Sequence, residues 1–333
     1  IEKTYKRPFG ERVLRDFLSK ILPNPIFFRI LGTLTLFIKP FQFIFPKKIK
    51  EMISFMPLNF PKKTLPKMKV YPARKKKKPV ARVALLVGCV QRVLAPQINE
   101  ATIRLLNRHD IEVVIPKGID CCGSLDHHLG KSDKAKKNFK KNISIWYDEY
   151  LNNGLDAIIS NTSGCGTTLK DYGFIFRNDN DLKKKAKKIS ELTKDITEYL
   201  DENVKLNFIQ KKIGDKKYKI AYHSACSMQH GQKIHDVPVN LIKKTGNDVF
   251  DIPEGHICCG SAGTYNLLQN KIAKKLLLNK ILNIKKISPQ FITTGNIGCI
   301  TQIASGTKIP ILHTVEIIDW YTGGPKPKIL RHL

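Results

Sequence analysis

Acidic residues are scarce in this 333-residue sequence, with 28 Asp and Glu against 58 Lys and Arg, a formal net charge of +30. So basic a chain calls for an anionic neighbour or a strongly solvated surface. Nucleic acid is not expected as that neighbour, because no basic region with heptads and no aromatic-bearing RNP pattern is present. Long uncharged apolar runs are lacking too, and none approaches the ~20 residues of a spanning helix. Cysteine is sparse: eight in all, too few for a disulfide scaffold over this length. A phosphate loop is missing, since Gly260-Ser261-Ala262-Gly263-Thr264 carries neither its Lys nor a dinucleotide-type glycine spacing. A disordered chain is excluded by the 42% hydrophobic content, and the length suits two domains of ordinary size. The sequence opens on Ile1 rather than Met and is read as a fragment of a longer protein.

What charge there is lies unevenly. Residues 1–78 hold 20 Lys and Arg against 4 Asp and Glu, while residues 79–333 hold 38 against 24. The basic part ends in Arg74-Lys75-Lys76-Lys77-Lys78, a solvated linker or an electrostatic patch. Within it, Pro25–Pro46 is apolar and aromatic but interrupted by Arg29, Lys39 and Pro40. That composition suits a helix lying in a membrane interface or docking on a partner, with a buried helix as the alternative.

The cysteines that are present repeat. They stand at 89, 121, 122 and 165, then at 226, 258, 259 and 299, and the first three recur at an offset of 137. Each half reads Cys-x31-Cys-Cys-Gly, followed by a lone cysteine after 42 or 39 residues. One offset shared by three cysteines, with Gly123 and Gly260 after the pairs, marks two copies of one domain. The flanks agree. Strands are expected at Arg82–Val87 and Lys219–His223, at Glu112–Pro116 and Asp248–Pro253, and at Ala157–Ser160 and Phe291–Thr294. Helices are expected between them, at Gln97–Asn107 and Val237–Lys244, then at Asp133–Leu151 and Asn266–Ile284. Alternation of this kind predicts an α/β fold: two repeated small parallel-sheet, Rossmann-like cysteine-rich domains behind a helical N-terminal segment. The expected division is 1–78 as a basic docking or linker segment, 79–210 as the first domain and 211–333 as the second. Each cysteine then falls past the C-terminal end of a strand, the edge where open α/β sheets gather ligands. Cys89, Cys121, Cys122 and Cys165 should converge on one site, and Cys226, Cys258, Cys259 and Cys299 on another.

Simple burial does not need a repeated Cys-Cys-Gly after a strand, and adjacent cysteines make a poor disulfide pair. Four thiolates suit structural zinc. An iron–sulfur centre accepts vicinal ligands more readily, because each sulfur can reach a different iron. Both readings stay open, and soft thiolates select either. His127, His128, His223, His230 and His256 lie near the thiols in sequence and are read as surface or core histidines rather than ligands. Ser163-Gly164-Cys165-Gly166 has the look of a nucleophile elbow, but Cys299 has a different flank.

The strings GCVQRVLAPQINEATIRLL (88–106), NTSGCGTTLKDYG (161–173), HSACSMQHGQ (223–232), PEGHICCGSAGTYNLLQ (253–269), GNIGCITQIASGT (295–307) and HTVEIIDWYTGGP (313–325) carry a resemblance. With a weaker match at 11–25, they resemble the heterodisulfide-reductase-type cysteine-rich (CCG) family, and within it the iron–sulfur subunit of glycolate oxidase, or glycolate dehydrogenase. The resemblance implies an electron-transfer subunit without catalytic residues of its own. A partner subunit carrying FAD would oxidise glycolate to glyoxylate, and this chain would pass electrons toward quinone. It also implies a cytoplasmic location, peripheral at the inner membrane. Family members carry an N-terminal ferredoxin-like domain with two [4Fe–4S] clusters. Those cysteine runs are absent here, and the ferredoxin domain is expected to be missing from this chain. The fullest members also end each half in Cys-x2-Cys, where this sequence has Thr168 and Gln302. Related lactate and glycerol-3-phosphate dehydrogenase subunits, and a zinc-stabilised assembly scaffold, are the alternatives.

Overall fold

A computed structural model describes residues 4–46, 49–50, 52–53, 60–61, 69–74, 78–119, 121–209 and 216–333. The lysines at 75–77 and the expected boundary at 210/211 lie outside them. Two parallel sheets form the body. In the first, β2 (Ala81–Leu86), β3 (Ile111–Val114), β4 (Ala157–Ser160) and β5 (Thr193–Asp195) run parallel, and β1 (Val70–Tyr71) pairs antiparallel on the β3 edge. The order is β1-β3-β2-β4-β5. The second sheet, all parallel, has the order β7-β6-β8-β9, from β6 (Lys219–Tyr222), β7 (Asp248–Asp251), β8 (Phe291–Thr294) and β9 (Ile311–His313). β2 lies between β3 and β4, and β6 likewise between β7 and β8. The chain therefore switches sides there, which opens a crevice at the strands' C-terminal ends.

The helices follow the expected spans closely. They are α3 (Pro96–Arg108) and α4 (Ser132–Asn153) in the first half, and α6 (Val237–Lys243) and α7 (Asn270–Ile287) in the second. Further helices start within three residues of strand ends, among them α5 (Ser163–Lys170), α8 (Ile297–Ala304) and α9 (Thr314–Tyr321). The central strands are fully buried, since Val83–Val87 and Ala157–Ser160 meet helices on both faces. Gln91, Asn99, Asn161 and Thr162 form a closed buried network behind β4, with bonds of 2.6–3.0 Å, that fixes the loop before Cys165.

The halves pack as one body. Asp319 of α9, 1% exposed, is held by Arg104 at 2.7 Å and Arg108 at 2.5 Å, both from α3. The loops at the strand ends also meet. Ser163 Oγ lies 2.7 Å from Ser227 Oγ, Asn296 Nδ2 donates to Ser163 Oγ at 2.8 Å, and Ser163 N donates to Gly295 O at 3.1 Å.

A capping box opens α9, in which Glu316 accepts from His313 N and His313 Nδ1 accepts from Val315 N. Burial raises the Glu316 carboxyl to about 7 and lowers His313 to about 4. Between its ordinary value of 4.5 and about 7, Glu316 stays protonated when folded but ionises when unfolded. Its contribution to stability therefore falls as pH rises through that window. The expected result is that the stability of the wild type relative to Glu316→Gln declines from pH 4.5 to 7. Urea midpoints across pH check this, and parallel profiles would refute it.

The N-terminal segment is helical, with α1 (Phe9–Ile21), α2 (Pro25–Ile38) and a 3-10 turn Lys39–Ile44. α1 docks on the first half, where Ser19 Oγ donates to buried Asp126 at 2.5 Å, Lys134 reaches Ser19 Oγ at 2.8 Å, and Lys131 pairs with Asp16. The expected interruption at Lys39-Pro40 does not occur. Pro40 sits in the first turn of the 3-10 segment, where it needs no N–H, so helical structure runs over Pro25–Ile44, 20 residues. That stretch is long and apolar enough, by length and composition, to cross a membrane, which corrects the expectation from its charged interruptions. Ile26, Ile30, Leu34, Phe37 and Phe41 are exposed along it.

Candidate metal centres

The crossover topology brings the cysteines together as expected. In the first half Cys89 follows β2, the vicinal pair follows β3, and Cys165 lies in the first turn of α5. Cys89 and Cys121 Sγ are 3.6 Å apart, and Cys122 and Cys165 Sγ 3.1 Å. Two thiolates on one tetrahedral ion with bonds of about 2.3 Å sit roughly 3.8 Å apart, so small side-chain shifts admit a metal. The second half repeats the pairing, with Cys226 against Cys258 and Cys259 against Cys299.

Why the Cys-Cys-Gly recurs is visible in its turn. Gly123 N donates to Cys121 Sγ at 3.4 Å and Gly260 N to Cys258 Sγ at 3.2 Å. The turn needs left-handed backbone, φ +80° at Gly123 and +92° at Gly260. A Cβ at Gly123 would lie 2.5 Å from Phe139, and one at Gly260 2.5 Å from the Ala273 carbonyl. Gly260→Ala is therefore expected to cost at least about 2 kcal/mol and to loosen the second site. Unfolding midpoint and metal retention measure it, and a neutral result would show that the turn relaxes freely.

The sulfurs share protons within each group. Contacts from Cys122 and then Cys89 hold Cys121 well below the usual thiol range, while Cys89 and Cys122 are pushed up. Likewise Cys226 and Cys259 hold Cys258 down at about 2, and Cys259 and then His223 hold Cys299 at about 6. The lowered thiols are those that most readily take the thiolate form, the form that binds metal.

His223, which the sequence reads as a core or surface histidine, lies beside the second group of thiols. It is buried, and its ligand atom and the sulfurs of Cys259 and Cys299 lie within 4.8 Å of one another. Neither ring nitrogen makes a hydrogen bond of ordinary geometry, and the Cys299 sulfur interacts with the ring. No local pattern in the sequence separates His223 from a core histidine. His127, His128, His230 and His256 are exposed. Beside the first site, an open cleft of about 620 Å³ between α1, α2 and the body has Cys121 in its wall. Its cations are Lys20, Arg29, Arg92, Lys134 and Lys141.

Two thiol-gathering α/β units in tandem define the class of protein, and comparison with known families agrees. The family described as CCG, a cysteine-rich domain, matches twice, over residues 83–170 and 220–304. The glycolate oxidase iron-sulfur subunit of Escherichia coli (strain K12) is 35% identical over 319 residues, 96% of this chain and 74% of that protein. The probable glycolate oxidase iron-sulfur subunit of Bacillus subtilis (strain 168) is 28% identical over 71% of this chain and 54% of its own length. Lactate utilization protein A of Geobacillus sp. (strain WCH70) is 24% identical over 72% of this chain and 99% of its own. The chain belongs to the CCG family of glycolate oxidase iron–sulfur subunits.

Proposed function

We propose that this chain is the electron-transfer subunit of a glycolate dehydrogenase complex. It would accept electrons from a flavin-bearing partner that oxidises glycolate to glyoxylate and pass them toward quinone. The observation that carries the reading is the convergence of eight thiols into two sets of four on the strand-end edges of one body. Iron–sulfur centres bound there would supply one-electron transfer. Cys89, Cys121, Cys122 and Cys165 would hold one, and Cys226, Cys258, Cys259 and Cys299 the other. The chain's own contribution is to bury five of the eight cysteines, direct backbone N–H groups at the vicinal pairs and fix their loops.

The exposed apolar face of α2, set in a segment of strong positive charge, supports docking of a cytoplasmic protein at the anionic inner-membrane surface. Wild type should float with anionic vesicles, and Leu34→Glu with Phe37→Glu should not. The cleft beside Cys121 lies against α2 and offers an approach for an acceptor arriving from that surface.

The test uses anaerobically purified chain with its flavin subunit. Glycolate should bleach the visible absorbance of this chain within turnover time. Bleaching by lactate instead would favour the second reading, for which the lactate utilization relatives speak. Zinc alone, with no visible absorbance after anaerobic reconstitution, would replace electron transfer by a scaffold role.

A further inference from the structure

We infer that His223 is a metal ligand of the second site, so that the two halves hold inequivalent centres. The inference rests on the metal-binding reading above and goes beyond the eight cysteines. His223 directly follows β6, and its backbone N–H donates to Thr293 O at 2.8 Å, so the residue is fixed to the sheet. Its side chain is 1% exposed, and neither Nδ1 nor Nε2 makes a hydrogen bond of ordinary geometry. Buried imidazole nitrogens rarely stay unsatisfied, and coordination of a metal is one way such a group is satisfied. The sulfurs of Cys259 and Cys299 are its neighbours, all three ligand atoms lying within 4.8 Å of one another. A nitrogen at about 2.0 Å and sulfurs at about 2.3 Å from one ion lie at separations of that order.

The first half is built differently at this point. The 137-residue offset places Leu86 opposite His223. Leu86 ends β2 and is buried in the apolar cluster that contains Cys122, Ala135 and Phe139. One copy thus closes the crevice with hydrocarbon where the other presents a donor. The second half also buries Lys280 beside its thiols, with Nζ bonded to Glu254 O at 3.0 Å. Imidazole is a neutral ligand where thiolate carries a negative charge. A centre with His223 as a ligand therefore holds an added electron more firmly than an all-thiolate one. Electrons are then expected to settle on the second centre.

The experiment is X-ray absorption at the metal edge on the anaerobically loaded full chain, with pulsed EPR on the reduced protein after selective ¹⁵N-histidine labelling. Wild type should show a nitrogen scatterer at about 2.0 Å beside the sulfurs, and a coupling that changes with the label. His223→Leu copies the residue used by the first half. It should lose both signals and bind metal in the second half about tenfold or more weakly, with the first half unchanged. His223→Cys should keep the metal and shift the potential of that centre downward. A sulfur-only spectrum in loaded wild type would overturn the inference while leaving the metal-binding reading intact. Failure of wild type to load either half would overturn both. The wild-type spectra decide the matter even if a variant folds poorly.

Discussion

Cys259→Ser is expected to empty the second half of metal while the first half stays loaded, and Cys122→Ser to do the reverse. Each of these sulfurs is buried and lies against the lone cysteine of its own half, Cys299 or Cys165. A serine hydroxyl at either position is a hard, protonated donor and does not replace a soft thiolate. Iron, zinc and acid-labile sulfide per chain should fall by about half in each variant, and the double variant should retain almost none. Loss from both halves in a single variant would mean that the eight thiols serve one shared centre. No loss would remove the vicinal pairs from the ligand set.

Asp319→Ala is expected to separate the halves. The Asp319 carboxylate is almost fully buried, and it accepts from Arg104 Nε and Nη2 and from Arg108 Nη2. Removing it leaves the Arg104 and Arg108 guanidinium groups side by side on α3, with no carboxylate reaching them from the other half. Breaking a buried pair from one side costs about 3–5 kcal/mol. The lower end applies, because the Arg104 side chain is 40% exposed and can turn to solvent. A loss of about 3 kcal/mol in urea unfolding, with the first half melting apart from the second, is the outcome to look for. A single unshifted transition would show that apolar packing alone joins the halves.

Much of this architecture is legible from the cysteine offset. Once two copies are aligned at 137 residues, their strands support one another, and six expected strands appear close to their places. Three strands escaped for want of a pattern, and β1 is only two residues long. β5 is Thr193-Lys194-Asp195, polar in sequence yet buried at both ends because it pairs with β4. β9 is three residues long. His223 escaped because a histidine beside an apolar strand has no mark that separates ligand from core. Only the absence of a hydrogen bond of ordinary geometry and the two nearby sulfurs do so. Docking of α1 through Ser19 and Asp126 spans 107 residues, and no local pattern announces it.

The seam of hydrogen bonds between the strand-end loops has a consequence for how the two copies have diverged. Two separate, identical subunits meeting about a twofold axis must be self-complementary: what one contributes, the other receives in return. Here Ser163 meets Ser227, while their counterparts in the repeat are Ile297 and Val90. Such a junction would not serve a symmetric pair of free chains. Joined on one polypeptide, the halves find each other at a high effective concentration that dilution cannot lower. Their mutual surface is released from symmetry, and so is each thiol site. One copy can keep Leu86 while the other carries His223.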